Sequence, residues 1–109
     1  MANVNIHGTP GSYKGNDYTV PHPAKGTPVS FETADSDCVI CFDTYATFDS
    51  WGFTLKRGNP QHPKIQNVHN TGYTINALGT NCPQSRPPMA GPGYVITMGG
   101  GLPKGQKKS

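Results

Sequence analysis

Fourteen glycines and eleven prolines are spread through a chain of 109 residues, and almost no stretch between them is long enough to wind an α-helix. In a helix interior glycine costs about 1 kcal/mol and proline about 3 kcal/mol relative to alanine. No window longer than about ten residues spaces its apolar side chains by three and four, the pattern of an amphipathic helix. Short runs that alternate apolar and polar residues recur instead, which is how a half-buried strand reads. Val4 and Ile6 form one such run, Tyr18 and Val20 a second, and Val29 with Phe31 a third, entered through Pro28. Cys38, Ile40 and Phe42 share a face in the next, with Val39 and Cys41 pointing the other way. Tyr45, Phe48, Trp51 and Phe53 fit neither period, and a short helical turn is expected around Thr44 to Ser50. Leu55 closes a strand before the turn cluster Lys56 to Pro60; Ile65 and Val68 mark a weak strand, Tyr73, Ile75 and Ala77 a clear one, and Tyr94, Ile96 and Met98 the last.

Seven or eight short strands separated by turn signals predict an all-β chain, a single antiparallel β-sandwich. At this length one core buries about two thirds of the unfolded surface, so a single domain over residues 1–100 is expected. Gly99 to Gly101 then lead into Lys104, Lys107 and Lys108, read as a flexible basic tail over 101–109. The apolar fraction is 33% and the charged fraction 14%, both low for a globular domain, so loops are extensive and the surface is dressed with Thr, Asn, Ser and Gly. All six acids lie in the first 49 residues with only Lys14 and Lys25, which leaves that part at −4 and the remainder at +7. If strands from both parts interleave, the two signs mix. Residues Met1 to Gly8 carry no basic region followed by an apolar run, and no segment has the length to span a membrane. A cytoplasmic chain and an exported one with its leader removed both fit.

From Pro28 to Gly99 the chain resembles the cupredoxins. In that family a strand carrying valine and phenylalanine leads through a polar turn to a ligand histidine, four residues before an inward phenylalanine. Val29, Ser30 and Phe31 precede Glu32 to Asp37 here, and Cys38 stands four residues before Phe42, at the place of the first copper histidine. The family's second half runs from a strand to a ligand cysteine, a histidine, a methionine and a closing strand. Tyr73 to Leu78, Cys82, Met89 and Gly93 to Gly99 look similar, but Pro83, Gln84, Ser85 and Arg86 include no histidine. The resemblance implies a cupredoxin-like sandwich, with an immunoglobulin-like one as the alternative. The latter is disfavoured because Trp51 does not lie between two cysteines at antibody-like spacing.

A blue-copper centre needs two imidazoles and a thiolate in a trigonal plane, with a weak axial ligand. Cys82 and Met89 are present without either aligned imidazole, so the resemblance implies a metal-free site. The alternative is copper held by Cys82 and Met89 with His62 and His69 brought in through space. If Cys38 and Cys82 both point to where the metal would sit, the resemblance implies a Cys38–Cys82 disulfide, with Cys41 as the rival partner of Cys82. Three cysteines allow one bridge and leave one thiol. All three reduced, as small half-buried hydrophobes, is the other reading. Cys38 and Cys41, on opposite faces of one strand, do not read as a pair.

Hydrolase, phosphate-binding and dinucleotide motifs are absent, and the glycines at 99–101 precede no helix. Asp35 and Asp37 lie two apart in a turn, a solvated arrangement more than an acid–base pair. No enzyme activity is therefore expected. Nucleic-acid binding needs basic residues interleaved with stacking aromatics on one surface, and here the aromatics read as core. The expected function is a non-enzymatic binding or structural module. A protein or carbohydrate ligand would be met by loop aromatics such as Tyr13, Tyr45 and Trp51; a small copper-binding or electron-transfer protein is the alternative.

Overall fold

The computed structural model describes residues 2–83 and 92–99. Seven strands follow one another: β1 (Val4–Ile6), β2 (Tyr18–Val20), β3 (Phe31–Thr33), β4 (Cys38–Phe42), β5 (Gly52–Leu55), β6 (Thr71–Asn76) and β7 (Gly93–Met98). No helix occurs among the described residues. Met89 and the basic tail over 101–109 lie outside them.

The strands make a two-stranded sheet, β1-β3, and a five-stranded sheet ordered β2-β7-β6-β4-β5. Pairing is mixed, not wholly antiparallel as the sequence suggested. β1 runs parallel to β3, with Val4 opposite Phe31, and β2 runs parallel to β7, with Tyr18 opposite Ile96. Alternation marks a strand but carries no direction, since the side-chain period is two in both kinds of ladder. The chain therefore starts in the small sheet, crosses to the edge of the large one as β2, returns as β3 and stays in the large sheet from β4 onward. The large sheet takes β2 and β4 from the acidic part of the chain and β5, β6 and β7 from the basic part, with β7 and β6 lying between β2 and β4.

Three local expectations need adjustment. Residues 46–49 form a turn instead of a helical one, with Asp49 at a φ of 51°. Val29 lies just outside β3, although it is fully buried. The weak strand at Ile65 and Val68 is only a run of isolated bridges along β3: Gln61 exchanges both backbone hydrogen bonds with Phe31, and Ile65 N donates to Thr27 O. Pro60 and Pro63 have no N–H to extend that ladder. Ile65 is buried, whereas Val68 is exposed.

The core lies between the sheets. Val4, Ile6 and Phe31 on the small sheet face Ile40, Phe42, Tyr73, Ile75 and Ile96 on the large one. Phe31 meets Phe42, Phe53 and Tyr73 edge-on at centroid distances of 6.1, 5.2 and 5.8 Å. Such pairs add about 0.5–1.5 kcal/mol beyond the area they bury. The Tyr73 hydroxyl, buried with its ring, donates to Asn16 O and accepts from Asn16 N, and Asn16 in turn accepts from Asn5 N on β1. One polar cluster thus ties β1, the turn before β2, and β6 without leaving a buried group unpaired. Tyr13 is buried as well, its hydroxyl donating to Asp37 O, so it packs in the core and displays nothing for recognition.

Phe31→Ala should lower the unfolding free energy by about 3–5 kcal/mol in urea titrations, because the cavity opens where three rings converge. Phe31→Leu should cost visibly less.

Candidate functional site

Strand β4 is buried along its whole length, on both faces. Cys38, Ile40 and Phe42 belong to the core, but Val39 and Cys41 point out of the opposite face and are still covered. The register places Thr54, Val39 and Asn76 in one row across that outer face, Gly52, Cys41, Thr74 and Gly93 in the next, and Asp43, Gly72 and Val95 in a third. Thr97 follows Val95 at the edge with β2, opposite Thr19. Small residues predominate, so chain can lie against the sheet.

The segment after β6 does so. β6 ends at Asn76 beside Val39, and the chain reverses where Thr80 donates from both its N–H and its hydroxyl to Ala77 O, at 3.1 and 2.6 Å. Returning over the outer face, it brings Cys82 onto Cys41, with which it forms a disulfide at a Cα separation of 5.3 Å. The Cys38–Cys82 bridge is thereby corrected: Cys82 crosses the solvent side of the large sheet, while Cys38 points between the sheets and keeps a free thiol. Cys41, the rival partner, has the face that the returning segment meets. The closed loop spans 41 residues, and on the chain-entropy model its closure contributes about 4 kcal/mol.

Gly52 makes room for the bridge. It sits opposite Cys41 at a φ of 151°, and a Cβ there would lie 2.5 Å from Cys82 Sγ and collide with the Ile40 carbonyl. Cys82 Sγ itself rests 3.4 Å from that carbonyl oxygen.

Beside the bridge, on the same face, an open cleft of about 490 Å³ is lined by Asp43, Thr44, His69, Asn70, Thr71, Gly72, Val95, Ile96 and Thr97. Its walls are the loop after β4 and the segment before β6. These are tied together by Thr47 Oγ1 donating to His69 O and Asn67 Nδ2 donating to Ala46 O, both at 2.7 Å. Asp43 Oδ1 accepts from Gly72 N at 3.0 Å and from Thr71 Oγ1 at 3.2 Å, which sets the carboxylate at the junction of β4 and β6. His69 Nδ1 lies 2.7 Å from Asn70 O. A carbonyl only accepts, so Nδ1 carries the proton and Nε2 of the neutral ring is an acceptor. Asn70 Oδ1 takes the Met98 N–H, which leaves the Asn70 amide as a donor. Val95, 52% exposed, supplies an apolar patch. On the loop from β4 to β5, Tyr45 and Trp51 pack as a tilted pair 5.8 Å apart, Tyr45 exposed and Trp51 half-buried.

Of the residues proposed for copper, Cys82 is engaged in the disulfide, Met89 lies outside the described residues, and His62 and His69 are both exposed, one along β3 and the other at the cleft. Among the described residues no three His, Cys, Asp or Glu side chains gather where they would hold a metal ion. Asp35 Oδ2 accepts from Gly8 N and Asp37 Oδ1 from Arg57 N, so both carboxylates hold loops. No helix among the described residues is long and apolar enough to cross a membrane. The sequence reading missed Asp43, Asn70, Val95 and Thr97. They come from three separated segments with no motif in common, and only strand register gathers them. No protein-family model, curated protein or solved structure matches this chain.

Burial pushes the Cys38 thiol up to about 11, partly opposed by its hydrogen bond with the Thr33 side chain. The folded value exceeds the unfolded one, so the neutral thiol stabilises the fold fully below the unfolded value of 9.0, and that contribution is lost as pH rises from there through 11. Tyr73 is likewise raised by burial and acts in the same direction at higher pH. Unfolding free energy should therefore fall above pH 9, and Cys38→Ala should make the fall between pH 9 and 10 shallower. Gly52→Ala should cost about 1–3 kcal/mol through its backbone conformation alone. Crowding of Cys82 Sγ should also raise the free-thiol count of the unreduced, denatured protein above the single Cys38 thiol.

Proposed function

We propose that the chain is a non-enzymatic binding module on a metal-free, cupredoxin-like β-sandwich, with its ligand seated in the outer-face cleft. Support for the sandwich comes from two sheets packed across one core, with Cys38 and Phe42 both turned into it. The reading of a metal-free centre draws on Cys82 being spent in a bridge to Cys41. The observation that carries the binding reading is the cleft itself. It combines donors and acceptors, from Thr44, Asn70, Thr97 and His69 Nε2, with the apolar surface of Val95. That mixture suits a ligand whose groups both give and accept hydrogen bonds, as carbohydrate hydroxyls or a peptide backbone do.

Amide spectra of the isotope-labelled protein, recorded during addition of glucose and N-acetylglucosamine hexasaccharides and of unstructured peptides, test the assignment. Shifts should centre on Thr44, His69, Asn70 and Thr97, and Thr97→Lys should abolish them while leaving the unfolding midpoint in place. Shifts confined to another surface, or none with any probe, would reject the cleft. Uptake of one copper per chain with an intense blue thiolate absorption would instead establish the copper-binding alternative.

A further inference from the structure

Residues 77–83 lead the chain back over the large sheet, and among the described residues the hydrogen bonds within this segment are the two from Thr80 to Ala77 O. Among the described residues the polar contact from this segment to the strand face beneath it is that of Cys82 Sγ, 3.4 Å from Ile40 O, and the sulfur carries no hydrogen to donate while it is bonded to Cys41. The segment's tie to that face is the Cys41–Cys82 disulfide. The two cysteines differ in exposure: Cys41 is 1% exposed, while Cys82 is half-buried. Val39, two residues before Cys41 on the same face, is 4% exposed although it points away from the core. Cys41 and the cleft residue Asp43 share this face two positions apart on the chain, about 7 Å along the strand direction. Uncovering Cys41 would therefore open the row of the outer face next to the one that holds Asp43.

We propose that the Cys41–Cys82 bridge is a redox latch, opened by a dithiol reductant of the dithiol–disulfide oxidoreductase class, that releases residues 77–83 from the outer face and reshapes the cleft. A thiolate of the reductant attacks Sγ of Cys82, the less buried of the two cysteines. The Cys41–Cys82 bond breaks, and Cys41 leaves as a thiolate and takes up a proton. The second thiol of the reductant loses its proton and attacks its own partner in the mixed disulfide, which frees Cys82 to be protonated. Two electrons and two protons pass to the chain, and the reductant leaves as a disulfide. Cys38 takes no part, because it faces the core on the other side of β4. With the bond gone, the hydrogen-bonded ladders of β4 with β5 and β6 remain, so opening is local. The effect on ligand binding rests on the cleft reading above; the latch itself does not.

Dithiothreitol serves as the dithiol probe, with the oxidised protein and the Cys41→Ser, Cys82→Ser double variant as references. On reduction, backbone amide order should drop for residues 78–82 while the β4, β5 and β6 amides keep their protection from hydrogen exchange. Cys41 should become alkylable by iodoacetamide. Cys38, buried between the sheets with its thiol held neutral by desolvation, should react far more slowly than Cys41 once the latch is open. The double variant should match the reduced protein in order and exchange. Unchanged order at 78–82 with Cys41 unreactive would overturn the latch, and so would loss of protection across β4 to β6, which would make the bridge a staple of the whole fold. If the latch opens but hexasaccharide and peptide shifts never map to the cleft in either redox state, the latch stands and the cleft reading falls.

Discussion

Burial of β4 on both faces is the constraint on which the rest of the molecule depends. A strand in a small two-sheet protein ordinarily has one dry face and one wet face. Here Ile40 and Phe42 enter the core while Val39 and Cys41 are buried on the opposite face, where Cys82 is bonded to Cys41. Among the described residues, 77–83 has no hydrogen bond to the sheet besides the contact of Cys82 Sγ with Ile40 O. Covalent attachment supplies what hydrogen bonding does not. Gly52 is part of the same arrangement, since any side chain there would occupy the space of the Cys82 sulfur.

The two cysteines of β4 illustrate how one strand serves two environments. Cys38, turned inward, behaves as a small apolar residue: desolvation holds its thiol neutral well beyond physiological pH, which makes it inert to exchange and oxidation. Cys41, three residues on and facing outward, is committed to a bond with Cys82. Reactivity and inertness are separated by the thickness of a single strand.

Much of the architecture was legible beforehand. The glycine and proline punctuation and the lack of helical apolar spacing pointed to little helix, and the alternating runs located β1, β2, β4, β6 and β7 with their inward faces, because a period of two is a local property. The face assignment of Cys38 against Cys41 was available in the same way. The site was far less legible. His69 drew notice as an imidazole, but Asp43, Asn70, Val95 and Thr97 signal nothing by type or spacing. The cleft exists because β6 lies between β4 and β7, which sets Gly72 between Asp43 and Val95. Tyr13, chosen as a loop aromatic, turned inward because its hydroxyl finds a partner in the Asp37 carbonyl.

By itself the sequence determined that the chain is built of short strands, which side chains of each strand share a face, and that three cysteines leave at least one thiol unpaired. These follow from backbone sterics and the parity of cysteines. Tertiary structure decided the parallel pairing of β1 with β3 and of β2 with β7, and the choice of Cys41 over Cys38 as the partner of Cys82. Strand direction leaves no mark on side-chain alternation. Which of two opposite faces a returning segment covers depends on how tightly the chain turns after Asn76, and on the bare floor that Gly52, Thr74 and Gly93 provide only once four strands, β5, β4, β6 and β7, stand side by side.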